Sequence, residues 1–316
     1  MHGFSNKFKD FPDYIIGITK EIWEDRGLGA AMKEYYAPDV IVRVPGGIST
    51  GEAGMTQNTI ETLAEFPDRD LLAEDVIWSG TPEAGMLSSH RLHSTATHHG
   101  GRFGPATGKR IRFRGIADCY AKANQISDEW LVRDNGSVVR QLGMTPQDFV
   151  AAEIDHGRVP GFFTPEDDID GPYQGRGNDN EWGAKYADFL TSIMEADLAV
   201  ITREWDRACL LEYPGGVSGV GHAAADQHWL GLRSAFPSAV FKVHHVIGRE
   251  DPLMPPRAAL RWSLDGAHDG WGAFGRPTGK RAHIMGICHA EFGPWGLRRE
   301  WVCYDEVAIW AQLLSG

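Results

Sequence analysis

The sequence predicts an α+β protein made of two copies of one domain, and three observations carry that reading. The stretch Phe103-Gly104-Pro105-Ala106-Thr107-Gly108-Lys109-Arg110 returns as Phe274-Gly275-Arg276-Pro277-Thr278-Gly279-Lys280-Arg281, 171 residues later. The same spacing takes Gly115-Ile116 to Gly286-Ile287, Glu129-Trp130 to Glu300-Trp301, Asp134 to Asp305 and Gln141 to Gln312. Upstream, the spacing slips by single residues. Arg91 matches Arg261, His98 matches His268 and Phe66-Pro67 matches Phe236-Pro237 at 170, while Pro45-Gly46-Gly47 matches Pro214-Gly215-Gly216 at 169. Collinear matches that slip only at loops mark a duplicated domain, and the period is that of a whole domain rather than a solenoid unit. Within each copy, helical text comes first and strand text follows. That order fits helices packed on one face of a curved, antiparallel-rich sheet.

Copy one opens with Ile15, Ile18, Ile22 and Trp23 at helical spacing, and Ala31 to Tyr36 resumes a helix before Pro38. Val40 to Val44 alternates as a short strand and ends at the turn Pro45-Gly46-Gly47. Gly51 to Phe66 is helical again. Strands are then expected at Leu71 to Trp78, Met86 to His98, Arg110 to Ala121 and Trp130 to Leu142. Copy two repeats the order: helix Tyr186 to Trp205, strand Ala208 to Tyr213, helix Val220 to Phe236. Strands follow near Val240–Ile247, Ala258–Ala267, Lys280–Phe292 and Arg298–Leu313. The domains are therefore expected at residues 1–144 and 182–316. Residues 145–181, rich in Pro, Gly and Asp without a clear period, form the linker.

Composition excludes several classes. The 316 residues carry a net charge of −12, which disfavours nucleic acid and anionic membrane surfaces. The polar N-terminus has no apolar signal core, and no apolar run is long enough to span a bilayer, so a cytoplasmic protein is expected. Cys119, Cys209, Cys288 and Cys303 lack metal-site or redox spacing and suit buried small hydrophobes. Asn135-Gly136-Ser137 matches a glycosylation sequon, which carries no weight without a secretory signal. Gly216-Val217-Ser218-Gly219-Val220-Gly221 lacks the order of a phosphate-binding loop and sits where copy one has a plain turn.

Tyr36-Ala37-Pro38-Asp39-Val40, Phe66-Pro67-Asp68, Thr97-His98-His99-Gly100 with Phe103-Gly104 and Thr107-Gly108-Lys109, and Glu129-Trp130 with Asp134 and Gln141-Leu142-Gly143 together resemble the SnoaL-like polyketide (ester) cyclases. These belong to the nuclear-transport-factor-like superfamily. The resemblance covers nearly all of copy one and runs from Pro214 to Gln312 in copy two. It implies two tandem cone-shaped α+β barrels, each with about three helices wrapping a strongly bent sheet around a cavity. It also implies a cavity carboxylate acting as acid/base in an intramolecular aldol closure, with no metal or organic cofactor. The superfamily also holds non-catalytic binders, so fold alone does not fix function.

An aldol closure needs a base next to a carbonyl and a donor for the enolate oxygen. Asp118 and Asp134 are the candidate bases, since strand alternation places each on a face with apolar neighbours: Ile116 and Tyr120, or Trp130 and Val132. The alternative for either is a strand-end carboxylate in an ion pair. His98 is the candidate orienting partner or proton donor. Tyr36, Trp23, Trp229 and Trp262 are candidate walls of a flat apolar pocket, and Trp130, His99, His268, His289 and Asp305 are further candidate ligand contacts. Copy two has His289 where copy one has Asp118, so one working pocket is expected, with copy one favoured. Arg91 either pairs with a carboxylate of the other copy or receives a substrate carboxylate. His90, His93, His98 and His99 alternate between faces, and no carboxylate completes a metal motif. A hydrophobic small molecule is the expected partner, with the copies packed as an internal pseudo-dimer. A non-catalytic binding protein is the competing reading.

Overall fold

In a computed structural model that describes residues 1–315, the chain forms two compact units. One comprises Met1–Thr145 with Phe163–Gly175, and the other comprises Pro146–Phe162 with Arg176–Gly316.

Unit one begins with α1 (Phe11–Thr19), capped by the Asp10 side chain on the Asp13 amide, and runs into a π-helical turn at Lys20–Glu24. Next come α2 (Ala30–Tyr35), β1 (Tyr36–Val44), β2 (Gly47–Thr50) and α3 (Gly51–Glu65). The sheet is completed by β3 (Asp70–Thr81), β4 (Gly85–Thr97), β5 (Arg110–Lys122) and β6 (Gln125–Arg133), and α4 (Asn135–Leu142) follows. The strand order is β2-β1-β6-β5-β4-β3, with β1 parallel to β6 and the other neighbours antiparallel. Aromatic and aliphatic side chains of α1 and α2, including Phe11, Tyr14, Ile15, Ile18 and Tyr35, are buried against Val40, Val42, Val76, Met86 and Ala121 of the sheet. This one-sided cover is what the apolar spacing of α1 provides.

Unit two repeats the plan. It holds α5 (Pro146–Asp155), α6 (Glu181–Met194), α7 (Ala199–Glu204), β7 (Trp205–Tyr213), β8 (Val217–Val220), α8 (His222–Ala235) and β9 (Val240–Arg249). It ends with β10 (Arg257–Ala267), β11 (Arg281–Gly293), β12 (Gly296–Tyr304) and α9 (Glu306–Leu314). Its strand order is β8-β7-β12-β11-β10-β9. Both are open six-stranded sheets rather than closed barrels, ending at β2 and β3 and at β8 and β9, where a parallel bridge from Gly177 meets Val246 on the β9 edge. No helix among the described residues is long and apolar enough to cross a membrane.

Two expectations about secondary structure are corrected. The last strand of each copy does not run to Leu142 or Leu313; it stops at Arg133 or Tyr304 and a helix follows. Asp134 and Asp305 are the N-caps of those helices, accepting from the backbone N–H of Ser137 and Val307, both at 2.9 Å. Gln141 and Gln312 then turn back onto β5 and β11. Each side-chain amide takes the place of a strand neighbour, bonding both the N–H and C=O of Arg112 or of His283. The segment expected to be a linker contains α5, whose Phe149 and Val150 are buried, and it divides between the units.

The repeated Phe-Gly…Thr-Gly-Lys stretch is a folding device. In both copies it loops out and returns to form a narrow ladder, with His98 N–H to Lys109 O at 2.9 Å and His268 N–H to Lys280 O at 2.8 Å. Gly108 and Gly279 take positive φ (65° and 72°) at the return, a conformation that disfavours any side chain.

Candidate active site

Strand alternation in unit one divides the sheet cleanly. His90, Leu92 and Ser94 of β4, Phe113, Gly115, Ala117 and Cys119 of β5, and Glu129, Leu131 and Arg133 of β6 face a cavity. Ile15, Ile18 and Thr19 of α1, Trp23 of the π turn and Tyr36 of β1 close it, and Arg69 enters from the turn after α3. The empty space inside, mouth included, is about 660 Å³. Register places Cys119 opposite Glu129, Ala117 opposite both His90 and Leu131, and Gly115 opposite both Leu92 and Arg133. His90 and Glu129 are therefore two strand spacings apart, roughly 10 Å across the sheet. A ligand can lie between them.

Glu129 is buried and accepts a hydrogen bond from the Tyr36 hydroxyl at 3.0 Å. Burial pushes its carboxyl above the usual range, against the lowering influence of the Tyr36 hydrogen bond, the Arg133 charge and a hydrogen bond with Cys119. A buried carboxyl raised in this way and facing a cavity is a candidate proton-transfer group. Burial, with a small contribution from Arg91, lowers the pKa of His90 to about 3, so its ring is neutral. His90 Nε2 is buried and has no hydrogen-bond partner. Buried polar atoms without partners are rare in folded proteins, and here the orphan belongs to a side chain that lines the cavity. The π turn that carries Trp23 has no counterpart in α6, which is α-helical throughout, and such turns are frequent at functional sites.

The equivalent interior of unit two is built differently. Glu300, like Glu129, is fully buried, but its carboxylate accepts from four donors: Tyr186 and Tyr213 hydroxyls at 2.8 and 2.6 Å, and Trp205 and Trp229 indoles at 3.4 and 3.3 Å. Leu260, Leu264, Ala290, Ala239 and Tyr304 stand where unit one has His90, Ser94, Cys119, Arg69 and Arg133. Trp262 replaces Leu92. The polar lining of one copy has become core in the other.

The family model of the SnoaL-like polyketide cyclases matches residues 4–142 and again 184–313. The chain belongs to that family. No curated protein matches it. Solved structures similar to it include a provisional polyketide cyclase of Acidithiobacillus ferrooxidans, 24% identical, with a TM-score of 0.37 over 41% of this chain and 92% of that one. IdmH of Streptomyces antibioticus is 24% identical, with a TM-score of 0.36 over 42% of this chain and 98% of its own. A SnoaL-like polyketide cyclase of Agrobacterium tumefaciens is 20% identical, with a TM-score of 0.35 over 42% and 97%.

In this SnoaL-like chain, Tyr36 and Trp23 line the cavity, and the other candidates lie elsewhere. Asp118 is on β5 between Ala117 and Cys119, so it faces the opposite side of the sheet. Asp134 and Asp305 cap helices. His98 is buried between Glu65 Oε1 (3.2 Å) and Thr107 Oγ1 (3.1 Å), bracing the ladder loop. His268 keeps the threonine, Thr278 at 3.3 Å, and packs between Phe236 and Phe274. His99 is exposed, its N–H bonded to Glu65 O. Arg91 pairs with Glu74 of its own copy at 3.0 Å. Trp130 lies under the Arg43 guanidinium, 4.6 Å away, on the face opposite the cavity. His289 is the β11 counterpart of Asp118 and is likewise turned away, whereas Trp262 fills the interior of unit two. Among the described residues, no cluster of three or more His, Cys, Asp or Glu side chains is placed to hold a metal ion.

No catalytic motif in the sequence marks Glu129, His90, Arg69 or Arg133. The available signal was the comparison of the copies: three of these four change to uncharged residues in copy two, whereas the matched Asp, Gln, His and Thr are structural.

Proposed function

We propose that copy one is a cofactor-independent acid/base enzyme acting on a hydrophobic carbonyl compound, with Glu129 as the proton-transfer group. The observation that carries this is a buried carboxyl of raised pKa facing a cavity, across from the unpartnered His90 Nε2. Of the two, Glu129 is the better proton carrier. A general acid or base works best with its pKa near the working pH, and His90 at about 3 is too weak a base. His90 instead supplies a neutral hydrogen-bonding contact to the substrate carbonyl. Ionised Glu129 takes a proton from the carbon next to the carbonyl, and the enolate electron pair is held by nearby donors. The enolate carbon then attacks a second carbonyl to close a ring, the new alkoxide taking the proton back from Glu129, or the carbon itself is reprotonated by Glu129 to give an isomer. Ile15, Ile18 and Leu131 form the apolar wall against which a flat substrate body lies.

The test is a thermal-shift screen with aromatic esters, anthraquinone-like ketones, steroids and lactones, followed by turnover of every compound that binds. Glu129→Gln should lower kcat by roughly 10²- to 10⁴-fold while binding survives. Turnover that is unchanged in Glu129→Gln overturns the assignment. Binding without turnover in the wild-type protein identifies a ligand-binding protein of the same fold.

A further inference from the structure

We propose that the ligand of the copy-one cavity is an anion, a hydrophobic molecule carrying a carboxylate, and that Arg69 and Arg133 receive that carboxylate. This rests on the reading that this cavity is the ligand site.

Arg69 is 7% exposed and lines the cavity. Its Nε is buried without a hydrogen-bond partner, and no carboxylate among the described residues pairs with its guanidinium. The charge that acts on it most is that of Arg133, a like charge, and burial together with that repulsion lowers its pKa to about 9. Burying the Arg69 guanidinium beside a like charge, with no carboxylate paired to it, gains the fold nothing by itself. Glu129 does not supply the missing acid. It is held by Tyr36 and acts on Arg133 rather than on Arg69. The planar fork of arginine suits a carboxylate, which can accept two parallel hydrogen bonds.

The second copy gives an independent comparison. Ala239 occupies the same turn as Arg69, with its N–H on Phe236 O at 3.2 Å as Arg69 N–H is on Phe66 O at 3.2 Å. Tyr304, opposite Gly286, takes the place of Arg133, opposite Gly115. Both charges are absent where Trp262 fills the interior. If the arginines served folding, the same turn and strand end would need them in both copies; they accompany the cavity instead.

The experiment measures dissociation constants for matched pairs of flat aromatic acids and their methyl esters, such as 2-naphthoate and anthraquinone-2-carboxylate. The full chain is used as wild type, Arg69→Gln and Arg69→Lys. The acid is expected to bind about tenfold or more tightly than its ester, and Arg69→Gln should abolish that difference while leaving the ester within about twofold. Arg69→Lys should restore part of it. The unliganded Arg69→Gln protein should melt at the wild-type temperature or above it, because a buried unpaired charge is gone. Equal affinity for acid and ester in the wild type, acid binding that survives Arg69→Gln, or a lowered melting temperature for unliganded Arg69→Gln overturns the proposal. Ester binding and turnover that persist in those cases leave the acid/base function standing. If no member of any pair binds, both readings fail together.

Discussion

Trp262 stands in copy two where Leu92 stands in copy one. Leu92 faces Gly115 across its strand pair, and Trp262 faces Gly286. The indole covers Gly286 so closely that a Cβ there would lie 2.2 Å from the ring, whereas a Cβ on Gly115 would meet nothing nearer than 3.5 Å. Of the positions that differ between the two interiors, this one brings in a tryptophan, the largest side chain.

Leu92→Trp is therefore expected to close the copy-one cavity much as Trp262 does. The flanking Gly115 leaves room for the ring, so the variant should stay folded, within about 1–3 kcal/mol of wild type. Thermal shifts by cavity ligands should vanish. Ligand shifts of wild-type size in a folded Leu92→Trp protein would place the binding elsewhere.

The two buried carboxyls should respond differently to amide substitution. Glu300→Gln leaves an N–H₂ group among four donors, so at least one is stranded, and a loss of about 2–3 kcal/mol is expected by denaturant unfolding. Glu129 has two side-chain partners, Tyr36 and Cys119, and faces the cavity, so Glu129→Gln should cost less. Because burial raises the Glu129 pKa, the folded chain holds that proton above pH 4.5 while the unfolded chain releases it. The carboxyl's contribution falls as pH rises through this window. The Tm of Glu129→Gln relative to wild type should consequently increase from mildly acid to mildly basic pH, and a flat difference would contradict the raised pKa.

Acid should destabilise the protein before its carboxylates titrate. Burial holds His90, His228 and His245 at about 3, and His244 at about 4, in the folded chain. Below the ordinary histidine pKa of 6.5 the unfolded chain takes up protons that the folded chain refuses, so stability drops as pH falls from about 6.5 toward 3. Each group can contribute a slope approaching about 1.4 kcal/mol per pH unit. His90→Leu, the residue found at the equivalent point in copy two, should flatten that decline and raise Tm more at pH 5 than at pH 8. An equal change at both would show that His90 is protonated in the fold.

The caps make a plainer case. Asp134→Ala and Asp305→Ala each remove the acceptor for a helix N-terminus, worth about 1 kcal/mol. Tm should fall in both, while ligand affinity in Asp134→Ala stays at the wild-type value. A selective loss of affinity or turnover there would return Asp134 to the site.

The sequence shows the duplication and the helices-then-strands order because both rest on local signals: repeated words, helical spacing and turn residues. Where β6 ends is less visible. Asp134-Asn135-Gly136-Ser137 carries a cap signature, yet Val138, Val139 and Leu142 are equally acceptable as a continued strand, and only packing decides. The face of β5 is not local at all. Asp118 sits between Ala117 and Cys119, and nothing in the strand itself says which of the alternating sets meets α1. Repetition marks residues that hold the fold. Asp134, His98, Thr107 and Gln141 recur, and in copy one they serve as cap, loop brace and strand substitute. His90, Arg69 and Arg133 do not recur, because only one copy keeps the space they surround.

The seat that Trp262 takes over Gly286 also fixes a stoichiometry. A chain with two copies of a ligand-binding domain would ordinarily saturate at two equivalents, and its sites could influence one another. Here the counterpart of the Arg69–Glu129 cavity is occupied by the protein's own indole, so titration of that cavity should reach its end point at one equivalent per chain. Its isotherm should be hyperbolic, with no homotropic cooperativity arising inside the chain.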